Sequence, residues 1–411
     1  MTWYVNKIKK SNYVILMLIA AVYVFNICWV RQYTRPDPNG YIGSAACQSC
    51  HKDIYDTHVK TAHYRTSRPA GKEFIKGPFS PDRNRFSYNQ HMDVVMERKN
   101  GRFFQTAMLN GTPFESESFD IVIGSGRKGQ SYLYWDSPRL FQLPISYYTP
   151  LDSWCNSPGF PDKFVYFTKQ VHGRCMECHG TYASVEDREE GVTEFVRSSI
   201  IYGVDCERCH GPAADHVVYH TSHPGEKTGK YIINARLLSR QQRLDACALC
   251  HSGFREALKP AFTFMVGDTL DYYSAPGYSN DSVSSLDVHG NQYGLLSSSK
   301  CFKMAAQMDC SSCHNVHRNE VNSTQLFSQR CMNCHQEAAH NTCTFPVVKE
   351  RALYNNCIDC HMPALPSKKI LLQMSDTGKA VHDLVRTHRI GIYPEYSKNF
   401  LDHNKQHTKS H

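Results

Sequence analysis

The chain has no continuous Lys/Arg stripe with interleaved aromatics, although 46 Lys+Arg against 38 Asp+Glu leave a formal net charge of +8. That absence excludes a nucleic-acid-binding surface as the reason for the charge. No small-x-small cleavage site closes the apolar run near the N-terminus, which argues against a cleaved signal peptide. Phe25-Asn26-Ile27 before Cys28 lacks the small residues that lipoprotein processing prefers. A GxGxxG match at Gly124, Gly126 and Gly129 is followed by QSYLYW, a strand pattern rather than a helix. Dinucleotide binding needs strand, glycine turn and helix N-terminus in succession, so the segment reads as a β-turn.

Cysteine, by contrast, is abundant and patterned. Cys-x-x-Cys-His occurs seven times: Cys47 and Cys50 with His51, Cys175 and Cys178 with His179, Cys206 and Cys209 with His210, Cys247 and Cys250 with His251, Cys310 and Cys313 with His314, Cys331 and Cys334 with His335, and Cys357 and Cys360 with His361. The composition predicts roughly 0.04 such matches by chance, so the repetition carries meaning. Each motif is a c-type haem attachment signal, with two thiols for thioether bonds and a His for the iron. Structural zinc would not require a His after every second Cys, and an odd number of knuckles does not pair. Disulfides within CxxC close only tiny loops. The cofactor expectation is seven covalent haem c groups. Their propionates would add about fourteen negative charges, and Arg and Lys are expected to pair with them.

The axial ligand opposite each motif His decides the chemistry: a second His saturates the iron, whereas an open position admits substrate. Fifteen histidines lie outside the motifs. His403, His407 and His411 are in the polar tail and His91 is in a strand pattern, which leaves His58, His63, His172, His216, His220, His223, His289, His317, His340, His382 and His388. His63, His172, His216, His289, His317, His340 and His388 are the expected distal metal ligands. His317 follows its own motif too closely to fold back over it, so it is expected to reach a neighbour. Cys28, Cys155, Cys301 and Cys343 lie outside the motifs. Cys301 and Cys343 are compatible with a disulfide, whose pairing the sequence does not fix.

Six segments are expected along the chain. Residues 1–31 form a membrane anchor, because Ser11 to Val30 is uncharged, long enough at about 30 Å to span the hydrocarbon core, and preceded by Lys7, Lys9 and Lys10. Residues 32–46 are a linker and 47–84 the first haem region. Residues 85–148 form an antiparallel β insert with Asn-Gly turns at Asn100 and Asn110. Residues 149–395 are a six-haem domain and 396–411 a flexible tail. A helix is expected from Asp53 to Arg65. The fold class expected is mainly α with extensive loop, packed around seven haems, with the β insert between the first two and an N-terminal transmembrane helix.

The segments GSAACQSCHKDIYDTHVKTAHYRTS, GSGRKGQSYLYWDSPRLFQLPISYYTPLDSWCNSPGF, VHGRCMECHG, CERCHGPAADH, DCSSCHNVH, CIDCHMP and THRIGI resemble the multihaem c-type cytochromes related to hydroxylamine oxidoreductase and its tetrahaem partner. The resemblance implies distal ligation by His63, His172, His216, His317 and His388, mostly to haems other than their own. Hydroxylamine oxidoreductases carry eight haems against seven motifs here, and the Cys-x-x-Cys-Lys motif of nitrite-reducing relatives is absent. Their catalytic function is therefore not carried over. Two function classes follow. One is an electron carrier, anchored to the inner membrane with its haem domain periplasmic, working between a quinol-oxidising membrane complex and another redox protein such as a cytochrome. The other is a reductase of a small nitrogen or sulfur oxo-compound at a five-coordinate haem. No nucleotide and no nucleic acid is expected as partner.

Overall fold

The computed structural model describes residues 39–188, 191–277, 286–320, 323–335, 343, 356–375, 380–398 and 400. Strands dominate its first half. They are β1 (Ser67–Pro69), β2 (Arg85–Ser87), β3 (Met92–Lys99), β4 (Arg102–Leu109), β5 (Thr112–Ser118), β6 (Ile121–Ile123), β7 (Gly129–Asp136), β8 (Arg139–Gln142), β9 (Ile145–Tyr148), β10 (Ser153–Asn156) and β11 (Lys169–Gln170). β2 to β5 form a four-stranded antiparallel meander. β1, β6, β7, β8 and β11 form the path of a second sheet, which β9 and β10 join through β7.

The turns explain the meander. Asn100 and Gly101 take φ of 50° and 80°, and Asn110 and Gly111 take 50° and 79°. Two left-handed residues in a row make the turn whose twist matches paired strands, and Asn-Gly tolerates it best. Lys99 accordingly faces Arg102, and Leu109 faces Thr112. The Gly124 to Gly129 segment links β6 to the antiparallel β7, so it is a strand-to-strand turn. A Cβ at Gly124 would lie 2.6 Å from the Gly129 carbonyl oxygen, which excludes larger residues there.

Side chains of both sheets fill one core. Phe86, Val94, Met96 and Phe103 meet Val122, Tyr132, Tyr134, Phe141, Trp154 and Phe167. A second cluster ties the strands to the motif region, where Ile121, Leu133 and Leu140 pack with Met176 and Phe262. The second half of the chain holds short helices and two-stranded hairpins. Its last hairpin, Ala364–Gln373 with Ala380–Arg386, returns to the strand block. There Asp383 accepts hydrogen bonds from the Tyr148 hydroxyl at 2.8 Å and Lys128 Nζ at 3.0 Å.

The expectation of a mainly helical fold with an N-terminal transmembrane helix is corrected. Nineteen strands in six sheets stand beside helices of about equal extent among the described residues, so the fold is mixed rather than mainly α. Helices form chiefly where a motif needs one turn of local backbone to present both thiols and the His. The longest, Arg240–His251, has 12 residues and rises about 18 Å, against about 30 Å for a membrane core. No described helix is long and apolar enough to cross a membrane. The inner-membrane, periplasm-facing placement rested on such a helix and is corrected with it. Residues 11–30 and most of the 396–411 tail lie outside the described residues. The helix expected from Asp53 to Arg65 covers only Lys52–His58, because Thr61 donates both its amide and its hydroxyl to the His58 carbonyl and turns the chain.

Candidate haem-binding centres

Local capping builds several motifs. Asp205 precedes Cys206–His210 and accepts the Cys206 amide at 2.7 Å; Asp309 precedes the turn at Cys310 and accepts the Ser311 amide at 2.9 Å. Ser239 and Gln242 form a reciprocal capping box at the start of Arg240–His251. Carboxylates of the third motif also hold the approach to the first. Glu207 accepts the amides of Ile42 at 3.0 Å and Gly43 at 2.7 Å, and Asp205 accepts that of Ser44 at 3.2 Å.

Four motif histidines face a second imidazole contributed by a distant stretch of chain. His51 faces His216 with ring centres 6.4 Å apart. His210 faces His317, His251 faces His63, and His314 faces His388, each at 6.1 Å. Two imidazoles on opposite sides of one metal, each bonded at about 2.0 Å, place their ring centres about 6.3 Å apart. The four separations fit that requirement.

Protonation supports the same reading. Burial pushes His63 and His388 down to about 4, and lowers His216, His251, His314 and His317. A neutral imidazole is the form that binds a metal. Hydrogen bonds at Nδ1 fix the orientation of several rings: His210 with the Ile233 carbonyl at 2.9 Å, His216 with Lys230 at 2.7 Å, and His361 with Gly391 at 2.8 Å. A ring that donates through Nδ1 presents Nε2 to a metal.

The remaining expected residues are placed differently. His172 caps the Gly173–His179 helix, with Nδ1 3.2 Å from the Thr193 hydroxyl, and faces no motif His among the described residues. His289 lies close enough to depress His251 electrostatically but shows no ring pairing with it among the described residues. His340 lies outside the described residues. His179 is half-buried, desolvation pushing its imidazole down to about 4, with Nδ1 3.1 Å from the Thr66 hydroxyl. No second imidazole faces it among the described residues. His382, absent from the expected ligands, donates Nδ1 to the Ser367 carbonyl at 2.7 Å, an orientation like that of His216. Its strand position, within AVHDLVR, gave no motif offset to single it out. Cys301 and Cys343 are free thiols, so the disulfide compatible with the sequence is not formed.

Cysteines of different motifs lie side by side: Cys47 with Cys206, Cys178 with Cys250, Cys247 with Cys310, and Cys331 with Cys357. Cys209 lies within electrostatic reach of Cys247 and Cys250, and Cys313 within reach of Cys331. In motif order, the first therefore adjoins the third, the third the fourth, the second the fourth, and the series continues through the fifth, sixth and seventh.

Comparisons with known proteins agree. Residues 164–211 match the family described as cytochrome c554 and c-prime. The C-type polyheme cytochrome OmcC of Geobacter sulfurreducens is 24% identical over 205 residues, covering 50% of this chain and 22% of that one. The multiheme cytochrome MtrA of Shewanella baltica is 26% identical over 194 residues, covering 46% of this chain and 51% of its own. The chain thus spans about a fifth of the first relative's length and half of the second's. The crystal structure of the outer cell wall cytochrome OcwA shares the fold, with a TM-score of 0.55 at 16% identity over 88% of this chain and 82% of that one. Repeated attachment motifs, paired imidazoles and relatives of one kind converge: this chain is similar to the multihaem c-type cytochromes, and those relatives imply covalently bound haem c.

Proposed function

We propose that the chain is an electron-transfer protein with seven haem c attachment sites in use, accepting electrons from one redox protein and passing them to another. Bound haem supplies one-electron chemistry at iron. His51, His179, His210, His251, His314, His335 and His361 hold it from the motif side. His216, His317, His63 and His388 would supply the second imidazole at the first, third, fourth and fifth motifs. Ligand saturation would exclude substrate and water from the metal, and two imidazoles held from separate stretches of chain would limit reorganisation when charge changes. The side-by-side motif cysteines keep neighbouring sites close enough for charge to move between them.

The paired rings at 6.1–6.4 Å carry this reading. The test is spectroscopy on the purified protein with its mass measured. Seven added haem masses and low-spin signals at the four paired sites are expected. A mass equal to the bare polypeptide, or high-spin iron at those sites, overturns it.

His179, which faces no second imidazole among the described residues, favours a second reading: one site open to a small nitrogen or sulfur oxo-compound. That reading expects one high-spin component that binds cyanide or carbon monoxide. It also expects turnover of nitrite, hydroxylamine or tetrathionate with reduced viologen. Neither signal appears if every site is saturated.

A further inference from the structure

Glu177 and Arg208 are the middle residues of two different attachment motifs, CMECH and CERCH, and their side chains meet in the interior. The Glu177 side chain is 1% exposed and that of Arg208 is 7% exposed. Glu177 Oε1 accepts the Phe262 amide at 2.8 Å, while Oε2 pairs with Arg174. Arg208 Nη2 lies 3.7 Å from Glu177 Oε1, too long for a hydrogen bond, and has no hydrogen-bond partner among the described residues. The guanidinium instead lies over the Phe262 ring, 5.8 Å from its centre.

Glu177 faces two guanidinium groups, of which Arg208 is the deeply buried one, and Glu207 beside Arg208 adds a second buried carboxylate. The location is also particular. Cys178 of the second motif lies beside Cys250 of the fourth, and both thiols are within electrostatic reach of Glu177 and Arg208. Cys209 of the third motif is the next residue along from Arg208. Three attachment sites therefore surround one buried pair of opposite charges.

We infer that Glu177 and Arg208 tune the reduction potential in opposite directions where the second, third and fourth motifs meet, Arg208 raising it and Glu177 lowering it. This rests on the haem-loaded reading above. A buried positive charge disfavours ferric relative to ferrous iron, so it draws electrons toward this junction. A buried carboxylate beside it partly cancels the effect. Salt in the solvent screens such a buried pair poorly, unlike a surface charge. Neither residue is a ligand; each acts on the metal sites at a distance and is a positioning residue for charge.

The test is an optically monitored redox titration of the full-length holoprotein and its R208Q, E177Q and R208K variants, at low and high ionic strength. R208Q is expected to lower the midpoint potential of a subset of the haem absorbance. E177Q is expected to raise it, and R208K, which keeps the charge, to titrate as the parent does. The two opposite shifts should persist in high salt. Wild-type curves for both R208Q and E177Q, shifts of the same sign, or shifts that vanish with salt would overturn the proposal. Haem content by mass is measured on every sample. A parent without haem refutes the cofactor reading, whereas loaded variants with unmoved potentials refute only the tuning role. If R208Q does not accumulate, the sign of the E177Q shift decides alone.

Discussion

His58 and His63 stand five residues apart, and only their surroundings separate their roles. His58 is buried with Nδ1 3.3 Å from the Val316 carbonyl and Nε2 3.2 Å from the Val204 carbonyl, its single N–H serving one of them, and its ring meets the non-motif His317 edge-on at 6.1 Å rather than a motif His. His63 carries its ring opposite His251 instead. Replacing His63, His216, His317 or His388 with alanine is expected to convert about one haem equivalent to a high-spin form that binds carbon monoxide. Electron paramagnetic resonance and optical difference spectra measure it. His58→Ala is expected to leave those spectra unchanged while costing about 2 kcal/mol of stability, read as a lower unfolding midpoint. High-spin iron in His58→Ala, or none in the other four, reverses the assignment. The motif cysteines and histidines were legible at this scale because attachment chemistry fixes their spacing. Which partner faces which motif was not, since the partners come from stretches of chain that only the fold brings together. His317 was an exception to a degree: three residues from His314, it had to reach elsewhere, and its ring faces His210.

At the scale of elements, turn chemistry was readable. Asn100-Gly101 and Asn110-Gly111 mark reversals because a left-handed pair suits few other residues. The extent of the helix after the first motif was not readable, since a Thr61 hydroxyl, rather than a glycine or proline, ends it. Nor was the close crossing at Gly203, where the approach to the third motif passes the stretch after the first. Gly203 has φ of 70°, its amide hydrogen-bonds Ser67 Oγ at 2.9 Å, and a Cβ there would overlap the Tyr64 carbonyl oxygen. Gly101 has φ of 80° with nothing within 4 Å of a Cβ. The contrast yields a prediction. Gly101→Ala bears only the strain of left-handed backbone, about 1 kcal/mol. Gly203→Ala must also push the crossing backbones away from each other, and is expected to cost about 3 kcal/mol or more. Denaturant titration followed by Soret absorbance would compare them, and equal costs would show that the crossing yields freely.

Across the whole molecule, a strand block and a motif-bearing block must stay in register if neighbouring sites are to remain close. The expectation of a mainly helical chain failed because the motifs dominated the reading, while the apolar content of the first half pairs into sheets around Phe86, Tyr132 and Trp154. Within the motif block, an ion pair spans the step from fifth to sixth motif, where Arg330 also donates to the Cys313 carbonyl. Glu320 Oε1 meets Arg330 Nη2 at 2.5 Å and Oε2 meets Nη1 at 2.9 Å, while Oε2 also accepts the Asn315 amide at 2.9 Å. The pair is largely shielded, with side chains 13% and 18% exposed. The Arg330 hydrogen bond holds the Glu320 carboxyl below its usual range, outweighing burial. A carboxyl with a depressed folded-state pKa stabilises at pH above its unfolded value of about 4.3, and that contribution is lost as pH falls through the folded value. Hydrogen exchange across residues 314–335 is therefore expected to rise on acidification below about pH 4, before the strand block opens. Glu320→Gln should show the faster exchange already at neutral pH and little further change with acid. Exchange in that variant matching the parent at pH 7 would mean that the junction between the fifth and sixth motifs is held by something other than this carboxylate.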